Sequence, residues 1–152
     1  MDFTKKHCVP CEGGTPPLSN QEENKMLKLI RQAQSSSSLS LGVEDLSDNR
    51  RQVQHDPSAS HSTVSSDRIG SGQAGWVLIR DGAHKIRRQF KFKNFREAIS
   101  FINKVAEIAE KEGHHPDIYI FYNKVQLDLF THAVGGLSEN DFIMAAKINA
   151  LL

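Results

Sequence analysis

Two hydrophobic periods alternate along the second half of the chain. Phe95, Ala98, Ile99, Ile102, Val105, Ala106 and Ala109 recur at helical spacing, which predicts an amphipathic helix running to Gly113 with its stripe in the core. Asn94 stands where an N-cap belongs and Gly113 where a left-handed C-terminal stop belongs. On either side the period falls to two. Trp76 to Arg80 and His84 to Phe92 read as two antiparallel strands joined at Asp81-Gly82, with Ile86, Phe90 and Phe92 on one face. After the helix, Ile118, Ile120 and Tyr122 alternate with Tyr119 and Phe121, a run apolar on both faces that predicts a central strand. Asn123-Lys124 turns the chain. Val125, Leu127, Leu129 and Thr131 then face one way, and Gln126, Asp128, Phe130 and His132 the other.

The remaining elements come from end signals. Ser19 with Glu22 matches a capping box ahead of Met26, Leu27, Leu29, Ile30 and Ala33, so a first helix is expected over residues 19–33. Ser138 with Asp141 matches a second box, opening a closing helix from Glu139 to Leu152 that seals the sheet with Phe142, Ile143, Ala146 and Ala150. Residues 1–18, rich in Gly and Pro, are expected to run as an extended arm, and residues 34–74, rich in Ser, Asp, Arg and Gln, as a disordered or weakly ordered insertion. The core occupies residues 75–152 of a single domain. The fold class is therefore α+β: an antiparallel sheet of about four strands covered by helices on one face, in the order α-β-β-α-β-β-α.

Composition narrows the function classes. A chain of 152 residues supports one ordinary core. Its formal charge of +1 provides no long-range field for nucleic acid. Cys8 and Cys11 form a single CxxC without the further pairs of a disulfide framework, and no apolar run approaches the length of a membrane span. A soluble, cytoplasmic protein is expected, with neither nucleic acid nor membrane as partner. No Walker loop or βαβ crossover signal is present, which removes the nucleotide folds.

The chemistry concentrates between Glu110 and Asp141. His114 and His115 follow Gly113 directly, and Pro116 restricts His115 to extended backbone, while His132 ends the last strand on its polar side. The hairpin between them could bring three imidazoles together for proton transfer. Zinc fits poorly, because adjacent histidines on extended backbone point apart. Half a zinc site at Cys8 and Cys11 reads better as a structural arm than as a redox pair. Glu110, one turn before His114, could orient an imidazole. Asp141 also reads as a helix-cap carboxylate and Tyr122 as core. His7, His55, His61 and His84 read as structural or surface histidines.

Glu110, His114-His115-Pro116, Tyr122, His132 and Asp141 together resemble the signature of the pterin-4a-carbinolamine dehydratase family. Tyr122 to Val125, Thr131-His132, Gly136 to Asp141, Gly75-Trp76, Phe90 to Phe95 and the arm from Cys8 to Leu18 extend the likeness. The interval from residue 34 to 74 departs from the short connection usual in the family. Where some relatives carry a thiol two residues after the third histidine, this chain has Ala133-Val134. The resemblance implies a hydro-lyase that dehydrates 4a-hydroxytetrahydrobiopterin to quinonoid dihydropterin in tetrahydrobiopterin recycling, with no cofactor, since the pterin is the substrate, and no metal. It implies that His114 and His132 act as acids from either side of the pterin, that His115 mainly holds it, and that Glu110 and Thr131 support the site. Homodimers or homotetramers, a functional link to an aromatic amino acid hydroxylase and a nuclear location beside the cytoplasmic one also follow from it. The alternative is a non-catalytic interaction protein on the same fold, a transcriptional dimerisation cofactor or an assembly factor.

Overall fold

The fold is that of a computed structural model describing residues 2–10, 16–35 and 75–152. The chain runs through a short 3-10 turn (Phe3–Lys5), α1 (Asn20–Ser35), β1 (Val77–Ile79), β2 (Lys85–Lys91), α2 (Phe95–Glu112), β3 (Asp117–Phe121), β4 (Lys124–Leu129), a second 3-10 turn (His132–Val134) and α3 (Glu139–Asn149). The four strands form one antiparallel sheet in the order β1-β2-β4-β3. This is the expected α+β arrangement and element order. The expected insertion lies almost wholly outside the described residues.

The core fills the space between the helices and one face of the sheet. Ile86, Phe90, Val125, Leu127 and Leu129 project from β2 and β4 onto Ala98, Phe101, Val105 and Ala109 of α2 and onto Phe142, Ile143 and Ala146 of α3. Each large side chain buried there contributes about 1.5–3 kcal/mol. The buried row of α2 passes through Phe101, which stacks at 4.7 Å on Phe90 and 5.0 Å on Phe92. Phe95 and Ala106, assigned to the core by periodicity, are exposed because the apolar stripe of α2 is wider than its contact with the sheet. On α1, Leu27 and Ile30 are buried and Ala33 is exposed.

The α1 end and the sheet are tied by polar contacts. Arg31 donates through Nε (2.9 Å) and a terminal nitrogen (2.6 Å) to the carbonyl of Trp76, whose indole is fully buried and donates to Asn149 Oδ1 at 2.9 Å. Glu23, buried on α1, accepts from His84 at 2.8 Å and pairs with Arg80 at 3.4 Å. A carboxylate so far from water requires such partners.

Four local expectations change. β3 is an edge strand rather than a central one: Ile118, Tyr119, Ile120 and Phe121 are 37–60% exposed. A run apolar on both faces needs cover on both, and among the described residues β3 has one strand neighbour, β4, along a single edge. The β3–β4 turn falls at Tyr122-Asn123, with Tyr122 at φ 54 and 69% exposed, so Tyr122 is not core. The closing helix stops at Asn149. The arm is not uniformly extended, because Asp2 caps the turn at Phe3–Lys5 and Phe3 enters the core.

Candidate active site

The position of the first histidine is set by how α2 ends. Gly113 takes φ 63, its N–H bonds to Glu110 O at 3.3 Å, and the His114 N–H bonds to Ala109 O at 3.1 Å. This pair of bonds is a Schellman closure, which glycine adopts without steric cost. His114 thus leaves the helix on a backbone already anchored to it and turns its ring inward.

That ring meets the first turn of α3. His114 Nε2–H donates to Asp141 Oδ1 at 2.8 Å, with His114 9% exposed and Asp141 fully buried. The other oxygen, Oδ2, accepts from Thr131 Oγ1 at 2.8 Å and from the Ser138 N–H at 2.8 Å. Thr131 spends its only hydroxyl proton on Asp141, so Ser138 Oγ donates to Thr131 at 2.7 Å. Asp141 therefore caps α3 and orients His114 at once; the two readings left open for it are one arrangement. Because the carboxylate accepts at Nε2, the neutral ring has its acceptor nitrogen at Nδ1. Nδ1 has no protein partner among the described residues, and Arg88 Nε is the one buried side-chain polar atom among them that lacks one. The Nδ1 edge consequently meets solvent rather than packed core.

The other two imidazoles are placed differently. His115 turns to the surface and bonds Glu110 at 3.0 Å, with both side chains well exposed (60% and 79%). Glu110 serves His115 and not His114. His132 lies beyond β4, whose last residue is Leu129, and opens a 3-10 turn closed by Gly135 at φ 67. The loop from Thr131 to Gly136 is held by paired backbone bonds of 2.8 and 3.4 Å, and the exposed His132 ring packs on Phe130 at 4.0 Å between centroids. His114 and His132 are thus linked through Asp141 and Thr131, the residue before His132. His115 stands outside that link. Among the described residues no three His, Cys, Asp or Glu side chains gather as metal ligands.

The arm was expected to be structural, and Cys8 fits this, half-buried with its N–H donating to Glu112 Oε2 at 3.0 Å. Cys11 lies outside the described residues. Glu112 itself escaped the sequence reading. An acid in the last turn of a helix opposes the helix dipole, which is the signal that could have marked it. Its carboxyl is nearly buried and pairs with Lys147 at 2.7 Å. Burial pushes its pKa up, but the Lys147 ammonium and the Cys8 amide outweigh this and hold it at about 2.

The family model for pterin 4 alpha carbinolamine dehydratase matches residues 59–151. The chain belongs to this family. A protein of Alkaliphilus metalliredigens, provisionally named a pterin-4-alpha-carbinolamine dehydratase, is 34% identical over 148 residues, 97% of this chain and 94% of that one. The long interval before β1 is thus compatible with family members of similar overall length. The mitochondrial pterin-4-alpha-carbinolamine dehydratase 2 of Arabidopsis thaliana is 50% identical over 80 residues, 51% of this chain and 43% of that one. A crystal structure from Brucella melitensis, described as a transcriptional coactivator/pterin dehydratase, shares 41% identity over 51% of this chain and 82% of that one, with a TM-score of 0.48. No helix among the described residues of this chain is long and apolar enough to cross a membrane.

Proposed function

We propose that the protein dehydrates 4a-hydroxytetrahydrobiopterin to quinonoid dihydropterin, with His114 and His132 moving protons and His115 holding the substrate. The C4a–O bond breaks, the hydroxyl takes a proton and leaves as water, and a ring N–H gives up a proton. Nothing is oxidised or reduced. Imidazole suits both transfers because its unperturbed pKa of about 6.5 lies near neutrality. A positioned general acid or base supplies about 10² to 10⁴ in rate, or roughly 3–5 kcal/mol.

The observation that carries the reading is the buried link from Thr131 through Asp141 to His114 in a chain of this family. The carboxylate fixes the tautomer and leaves Nδ1 as the edge that meets a substrate. His132, one residue beyond Thr131, is held to the same link by the chain. Self-association fits as well: the uncovered apolar edge of β3 is a ladder that a second copy would complete. Stopped-flow assay of chemically generated carbinolamine tests the reaction. The purified protein should accelerate its decay, and a His114→Ala, His132→Ala double variant should lose most of that acceleration. A double variant as fast as wild type rejects the assignment of these histidines.

A further inference from the structure

Among the described residues, the hydrogen bonds and ion pairs of the N-terminal arm reach residues that flank the candidate site. Lys6 pairs with Glu139 at the start of α3. The Cys8 N–H bonds Glu112, two residues before His114. The Val9 N–H donates to Asn140 Oδ1 at 3.1 Å, and Asn140 Nδ2–H donates back to the Val9 carbonyl at 2.7 Å. Further on, the Leu18 N–H bonds the Leu137 carbonyl at 2.8 Å, and Pro17 packs so closely on Gly136 that a Cβ there would meet it at 2.9 Å. The arm therefore spans both segments that the His114–Asp141 bond joins.

Asn140 is the joint in this contact. It sits in the first turn of α3, is 3% exposed, and immediately precedes Asp141. Its amide meets Val9 through a reciprocal donor and acceptor pair, as one strand meets another, so the contact fixes orientation as well as distance. A desolvated amide deprived of those partners would have to swing toward water or pair elsewhere. Either response releases the arm's grip on the turn that carries Asp141, whose bond to His114 tolerates little displacement before it is lost.

We propose that Asn140, gripping the backbone of Val9, is a positioning residue for the reaction: it locks the first turn of α3 so that Asp141 stays on His114 Nε2. The arm is then part of the active-site scaffold, and its docking sets the activity of the site from outside the His114–Asp141 bond. The effect on turnover rests on the dehydratase reading above; the effect on the His114 ring does not.

The test uses full-length chains with Asn140→Ala, and separately Val9→Pro, which removes the N–H that Asn140 accepts and leaves α3 unchanged in sequence. Nitrogen-15 NMR of the imidazoles, without substrate, reads the His114 Nε2–H signal and its dependence on pH. Stopped-flow kinetics reads kcat and KM. A misplaced proton donor should cost on the order of tenfold to a hundredfold in kcat while KM stays within about twofold. The hydrogen-bonded Nε2–H signal should move or vanish in both variants. Wild-type imidazole signals and wild-type kcat in variants with lowered melting temperature would make the contact purely structural and overturn the proposal. Should the wild-type protein show no dehydratase activity, the imidazole signals still decide: unchanged signals reject the positioning role and altered ones support it. If Asn140→Ala does not fold, Val9→Pro decides.

Discussion

His114 and His115 are neighbours in the chain and opposites in environment. One is buried against a fully buried carboxylate, the other is exposed and pairs with an exposed one. Extended backbone sends consecutive side chains to opposite sides, so in the proposed reaction the dipeptide would divide the labour that a count of histidines would pool. A proton-moving ring needs a fixed tautomer and a fixed direction, which the Asp141 bond supplies. A ring that holds substrate needs reach, and an exposed pair, whose coupling in water is worth about 0–1 kcal/mol, leaves His115 free to swing.

The sharpest way to break this division is Asp141→Ala. It removes the acceptor for His114, Thr131 and the Ser138 amide together. Losing a helix cap and orphaning buried donors should cost about 3 kcal/mol or more by urea unfolding, and turnover should fall by about 10² or more. Thr131→Val is narrower. It takes one bond from Asp141 and leaves Ser138 to be resatisfied, so a loss of about 1–2 kcal/mol and roughly tenfold in kcat is expected. His115→Ala should fall on the other side: stability within about 0.5 kcal/mol of wild type, kcat nearly preserved, and a several-fold rise in KM. A kcat loss equal to that of His114→Ala would end the distinction.

The smallest effect concerns acid. Glu112 titrates at about 2 when folded, against an ordinary value near 4.5, so its contribution to stability is complete above about 4.5 and is lost as pH falls through about 2. The groups facing it are Lys147 of α3, His7 and the Cys8 amide of the arm. The Cys8 amide should lose protection, measured against its intrinsic exchange rate at each pH, over that window while β4 keeps its protection. Equal loss of protection in both would show that the arm does not loosen separately.

How much of this the sequence disclosed follows from the range of each interaction. The Asn94 and Gly113 caps, both capping boxes, the strand parity of β4 and the inward face of Thr131 are local or periodic, and they were readable. The inward turn of His114 was foreshadowed by Gly113, but its partner, 27 residues on, was visible only as a cap. The partners of Glu23, Glu112 and Asn140 lie 61, 35 and 131 residues away, and no local pattern marks such pairs. β3 misled for a different reason: composition shows that an apolar run wants cover on both faces, and does not show whether the chain itself provides it.

That edge has a consequence for how the protein must be handled. A ladder of exposed Ile, Tyr and Phe at the edge of the described sheet offers a second copy a strand to pair with. If a second copy completes it, apparent stability rises with concentration by mass action, and a melting temperature has meaning only with the concentration stated beside it. Dilution would then act on this chain as a mild denaturant, long before any bond within the protomer is disturbed.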